Sequence, residues 1–151
     1  MGGRPMVDVR DVAQYILERR GRTTTWKLQK LVYYCQAWSL VWDDEALFPD
    51  NIEAWADGPV VRRLYDIHAG NFTISRVTGG DSSRLNKTQR ETIDAVLDAY
   101  GSKTSAWLRS LTHSEAPWKE TRRRAGLSEG ERGNAVIPLD VMAEFYGSLS
   151  G

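Results

Sequence analysis

Trp26 to Asp43 is the segment that most constrains what this chain can fold into. Leu28, Leu31, Val32, Cys35, Trp38 and Trp42 fall on one helical stripe, and Tyr33, Tyr34, Leu40 and Val41 carry apolar surface beyond it. A helix apolar over so much of its circumference is covered by neighbours on several sides. The spacing therefore predicts a central helix at about residues 25–43, with the rest of the chain packed round it.

The neighbours are legible from local signals. Asp8 can cap a helix through Val9, Val12, Ala13, Ile16 and Leu17, and Gly21 supplies its stop. Thr23, Thr24 or Thr25 caps the central helix. Leu47-Phe48 and Ile52 to Ala56, separated by Pro49, Asp50 and Asn51, predict a small β-hairpin. Gly58-Pro59 reads as a hinge into a short helix, with proline in its first turn and Val61, Leu64, Tyr65 and His68 at helical spacing before Gly70. Thr73 to Val77 suggests a third edge strand.

Asn86 with Gln89 forms a capping-box pattern ahead of Ile93, Val96, Leu97 and Tyr100. Thr104 or Ser105 can start a helix through Trp107, Leu108 and Leu111, and Ser114 can cap another running from near Pro117 to Gly126. Met142, Phe145, Tyr146 and Leu149 repeat as a last helix beginning near Pro138. The expectation is a mainly α, compact single-domain helical bundle over residues 1–151, with a core from about 8 to 149 and a small β-hairpin or short antiparallel sheet.

Charge and cysteine content narrow the function. Twenty basic residues balance twenty acidic ones, so no global field favours a nucleic-acid backbone or a membrane surface. Cys35 is the one cysteine, which rules out an intramolecular disulfide and fits a reducing compartment. Met1 to Pro5 lacks an apolar core of signal-peptide length, and no run approaches the ~18 apolar residues of a membrane span. A cytoplasmic protein is expected.

No residue pattern points to catalysis. Cys35 lies mid-helix on the apolar stripe, where a core role is expected rather than a nucleophilic one. His68 and His113, even with Asp66 or Glu115, show no metal-ligand spacing. His113 between Thr112 and Ser114 reads as a helix-end residue rather than part of a triad. No phosphate loop, dinucleotide fingerprint or nucleophile elbow is present, so neither an enzyme nor a cofactor is expected. Arginines at 19, 20 and 22, at 62 and 63, and at 122 to 124 are interspersed with acids and read as solvated helix faces. Six tryptophans and six tyrosines exceed what one core plainly requires, which points to a partner surface using some of them, with Trp26, Trp55 and Trp118 at element edges.

With these elements in place, Lys27-Leu28-Gln29-Lys30-Leu31-Val32-Tyr33-Tyr34-Cys35-Gln36-Ala37-Trp38 resembles the signature helix of the Panacea, or SocA-like, antitoxin domain. The resemblance continues through Leu47-Phe48, through Ile52 to Val61 with its Gly-Pro-Val, and through Leu64-Tyr65. It extends over Ile93 to Gly101 and the Thr-His-Ser block Leu111 to Trp118. The arginine run after Trp118 and the glycine-containing loop after Gly126 depart from it.

The resemblance implies an antitoxin that neutralises a toxin encoded beside it by direct protein binding. An adaptor delivering the toxin to a protease of the ClpXP type, or a DNA-binding regulator of its own operon, are the alternatives it leaves open. The residue types at the polar side of the central helix and at the hairpin corner nominate a partner-binding surface of Lys27, Lys30, Tyr34, Trp55, Asp57 and Arg62, with Trp118 at its edge.

Overall fold

The computed structural model describes residues 6–150; Met1 to Pro5, where no export signal is expected, lie outside it. The fold is mainly α. Helix α1 (Val9–Arg20) starts at Asp8, whose side chain caps Arg10 N while Asp11 reaches back to Asp8 N, and stops at Gly21 with φ +79°. Helix α2 (Thr25–Trp42) is capped by Thr24, the middle of the three candidate threonines, which accepts from Lys27 N.

Helix α2 is the centre of the molecule: α1, α4 (Lys87–Tyr100), α5 (Ser105–Ser114) and α7 (Leu139–Ser150) all pack on it. Its residues 28 to 37 are buried without a break, so the apolar character seen on most of its circumference corresponds to burial all round. The buried apolar side chains of all these helices join in one core. No helix among the described residues is long and apolar enough to cross a membrane.

Two small antiparallel sheets decorate the bundle. Strand β1 (Thr23–Thr24) pairs with β4 (Thr73–Ile74), and β2 (Ile52–Trp55) pairs with β3 (Gly58–Val61). This corrects three readings. Leu47-Phe48 is not a strand; its backbone is held instead by the buried Gln36 side chain, whose Oε1 accepts from Leu47 N at 2.7 Å. Gly58-Pro59 does not enter the helix but forms the returning strand, opposite Trp55 and Ala54, and α3 (Arg62–His68) begins only after Val61. Proline is compatible with this strand because its missing N–H falls in a short, two-stranded pair. The edge strand expected over Thr73 to Val77 is confined to Thr73–Ile74, which pairs with β1.

On its other side β2 is covered by the chain at 135–137, with Ala54 N donating to Ala135 O and Ile137 N to Ile52 O, each at 2.8 Å. Helix α4 shows both bonds of the Asn86–Gln89 capping box. Thr104, not Ser105, caps α5. Ser114 belongs to the end of α5 and does not cap α6 (Ala116–Arg124), which starts after Glu115 with Pro117 in its first turn.

Candidate partner-binding face

The hairpin, α3 and the first turns of α2 meet to form one aromatic strip. Trp26 of α2 lies 6.4 Å from Tyr65 of α3, and Tyr65 lies edge-on to Trp55 of β2 at 4.8 Å between ring centroids. All three rings are half-buried. The Arg62 guanidinium sits over the Trp55 ring at 5.7 Å, and Trp55 Nε1 donates to Glu53 Oε1 at 2.7 Å. These rings are held on short, well-paired elements, as a preformed contact surface requires.

Beside the strip is a charged cavity. The hairpin turn projects Asp57, whose Oδ1 lies 3.2 Å from Arg109 Nη2 of α5; both side chains are at least half exposed. Lys30 lies beneath them, 1% exposed, its ammonium 5.4 Å from the centre of the Trp26 ring. Burial pulls the Lys30 ammonium down to about 8, opposed by the nearby Asp57 carboxylate and reinforced by Arg109.

Of the seven residues nominated from the sequence, four therefore share this face: Lys30, Trp55, Asp57 and Arg62. Lys27 does not join them. Its Nζ donates to Gly101 O at 2.7 Å, an acceptor shared with Arg20 Nη2, and so ties α2 to the end of α4. Burial, and then the Arg20 cation, hold its ammonium below the usual lysine range.

Tyr34 and Trp118 are interior residues and offer no contact surface. Tyr34 is fully buried and stacked on Tyr100 at 4.2 Å, because the side of α2 that carries it is covered by α4, α5 and α7. Its hydroxyl donates to Glu115 Oε1 at 2.7 Å, and Tyr146 donates to the same oxygen at 2.8 Å. Burial pushes the Glu115 carboxyl above the usual range, partly offset by those two donors. Trp118 is 7% exposed; its Nε1 donates to Trp55 O at 2.8 Å and its ring stacks on His113 at 3.8 Å.

Other residues acquire roles that only the packing reveals. Arg122 is not part of a solvated face: it is 3% exposed and donates to Ala54 O and Ser128 O, each at 2.9 Å, and to Glu131 O. Tyr65 and Arg109 complete the face, although the helical spacing of Tyr65 marks it only as an apolar-face residue. Cys35 is fully buried, and burial pushes its thiol far above the ordinary range, as expected of a core cysteine. His113 Nε2 is buried without a hydrogen-bond partner among the described residues, and burial, with the Arg109 cation, keeps the ring below its usual pKa.

In a comparison with known families, residues 28–119, more than half of the chain, match the family described as antitoxin SocA-like, Panacea domain. The match runs from the second turn of α2 into α6 and so includes the hairpin, α3 and the whole charged cavity except Trp26. Searches of curated proteins and of solved structures each return no match.

Proposed function

Because the chain belongs to the SocA-like Panacea antitoxin family, we propose that it neutralises a protein toxin encoded beside it by binding that toxin directly. The family match over 28–119 is the observation that carries this reading. On this reading the chain works in the cytoplasm by occlusion and catalyses no reaction.

The face built from Trp26, Trp55, Tyr65 and Arg62 is the proposed contact. It combines half-buried aromatic anchors with an arginine, the residue types that dominate binding energy, on a rigid scaffold. A stable complex needs roughly 800 Å² from each partner, which the strip and the adjoining charged cavity can centre.

Co-expression of the chain with the product of its adjacent gene tests the proposal, with growth rescue and co-purification as readouts. Rescue with a stable complex is expected in hosts with and without ClpXP. Rescue that disappears without the protease would replace occlusion by delivery for degradation. Arg62→Glu is expected to weaken the complex without lowering the melting temperature, since the Arg62 side chain is 56% exposed. A loss of folding in that variant would remove Arg62 from the contact.

A further inference from the structure

The Lys30 side chain is buried, 1% exposed, and its ammonium lines a cavity beside the Trp26 ring. No ion pair or hydrogen bond joins Lys30 Nζ to another described residue, the nearby Asp57 carboxylate being paired with Arg109. It forms the base of a cavity of about 280 Å³ whose walls are Trp26, Asp57, Ser105 and Arg109. The space for its end is provided by Gly58: a Cβ there would stand 2.6 Å from Lys30 Cε and 3.0 Å from Nζ. Gly58 also holds φ +127°, a backbone conformation that side-chain-bearing residues rarely adopt.

The charges round the cavity do not balance. Asp57 is the one acidic wall residue and its carboxylate is directed to Arg109, leaving two cations against one anion. Desolvating an unpaired ammonium is unfavourable, and a core of this kind could accept an apolar side chain in its place. The arrangement is that of a receptor lacking one negative charge, at the edge of an aromatic strip of the kind that protein surfaces dock on.

We propose that this cavity receives the carboxylate of an aspartate or glutamate side chain inserted by the protein partner, with Lys30 Nζ and the Arg109 guanidinium as its cationic donors and the Ser105 hydroxyl beside them. The toxin as source of that side chain rests on the antitoxin reading; the carboxylate chemistry does not. One excess positive charge matches a single carboxylate, and the small, partly enclosed volume suits one side chain. The ammonium, though pulled down to about 8, remains mainly protonated at neutral pH, and an incoming carboxylate would raise it again.

Two arms test this. In the first, the full chain alone is titrated with the acetyl, methylamide derivative of glutamate while the Trp26 indole NMR signal is followed. A saturable shift is expected that is absent with the glutamine analogue and in Lys30→Met; no saturable shift, or an equal one with glutamine, overturns the proposal. Lys30→Met is expected to keep or raise the melting temperature, so a failure to bind is not a failure to fold.

In the second arm, Lys30→Met is expected to weaken the toxin complex roughly tenfold or more, with a non-additive effect when paired with the neutralised toxin carboxylate. Unchanged toxin affinity in Lys30→Met overturns the toxin as the source of the carboxylate while leaving the antitoxin reading intact. A wild-type chain that takes the glutamate derivative but binds no toxin defeats the antitoxin reading and leaves the carboxylate site standing.

Discussion

Gln29 holds both backbone groups of Val61 with a single side chain: its Oε1 accepts from Val61 N at 2.9 Å and its Nε2 donates to Val61 O at 3.3 Å. The same Nε2 lies 2.9 Å from Nε2 of the buried His68, whose ring burial keeps below its usual pKa. This contact fastens the last residue of β3 to the central helix and so sets where Gly58, Asp57 and Arg62 stand relative to Lys30. Gln29→Leu leaves Val61 N unpaired in the core, while Val61 O, the N-cap carbonyl of α3, keeps the first bond of that helix. The substitution is expected to cost about 1–3 kcal/mol by urea denaturation. A stability equal to wild type would mean that the strand is held by the hairpin alone.

The buried Glu115 makes stability depend on pH in a direction opposite to most carboxylates. Its folded pKa is raised above the ordinary 4.5, so the folded state holds the proton more tightly than the unfolded state. That contribution is complete below 4.5 and is lost as pH rises through the folded value. Glu115→Gln keeps an acceptor for Tyr34 and Tyr146 but cannot ionise. Wild type is therefore expected to lose stability relative to Glu115→Gln as pH rises from 4.5, measured as the difference between their urea midpoints.

Lys30 has the opposite slope at alkaline pH. Its folded pKa of about 8 lies below the ordinary 10.5, so between those values the unfolded chain binds more protons and stability rises with pH. Relative to Lys30→Met, wild type is expected to gain about 1–2 kcal/mol on moving from the lower toward the upper part of that window. The comparison is kept below pH 10, the ordinary tyrosine value, because the buried hydroxyls of Tyr33, Tyr34 and Tyr146 titrate only in the unfolded chain there. Parallel pH profiles for the two proteins would contradict the burial of the ammonium.

Arg122 differs from its neighbours despite an identical side chain. Arg122→Met should remove the guanidinium donors from the carbonyls of Ala54 and Glu131 and leave Ser128 O with Glu131 N alone, and cost about 2–4 kcal/mol, with faster hydrogen exchange over residues 128–131. Arg124→Ala, on the exposed side, should change stability by no more than about 0.5 kcal/mol. Equal effects of the two substitutions would contradict this division of the arginine run.

Cys35 should be chemically silent while the chain is folded. With no exposed surface and its thiol pushed up by burial, it is expected to resist iodoacetamide at neutral pH and to react only on unfolding. Alkylation at the rate of a free thiol in the native protein would show that the core opens at α2.

Much of the helical framework could be read without coordinates. Asp8, Thr24, Asn86 and Thr104 cap helices through bonds to residues two or three positions away, so the signal and its cause lie in the same few residues. The hairpin was legible only in part: Ile52–Trp55 alternates as a strand should, but its partner depends on which neighbour supplies the second ladder. The local preference of Gly58-Pro59 for a helix start lost to pairing with Trp55 and Ala54 and to the Gln29 clamp.

The candidate face divides in the same way. Lys30, Trp55, Asp57 and Arg62 were nominated by residue type and spacing, and the fold brings them together. Tyr34 and Trp118, expected at the partner surface, and Arg122, expected on a solvated face, are buried instead, because whether a polar-tipped or cationic side chain is buried depends on elements far away in the chain supplying its hydrogen bonds. The amino-acid sequence by itself determined most of the helices, the caps at Asp8 and Asn86, a central helix buried all round in its middle and the family to which the chain belongs, since each rests on contacts or patterns local in the chain. Only the tertiary structure decided which side chains reach the surface. Lys30 becomes a buried side chain with its ammonium facing a cavity because Gly58, Asp57 and Arg109, distant in sequence, close round it.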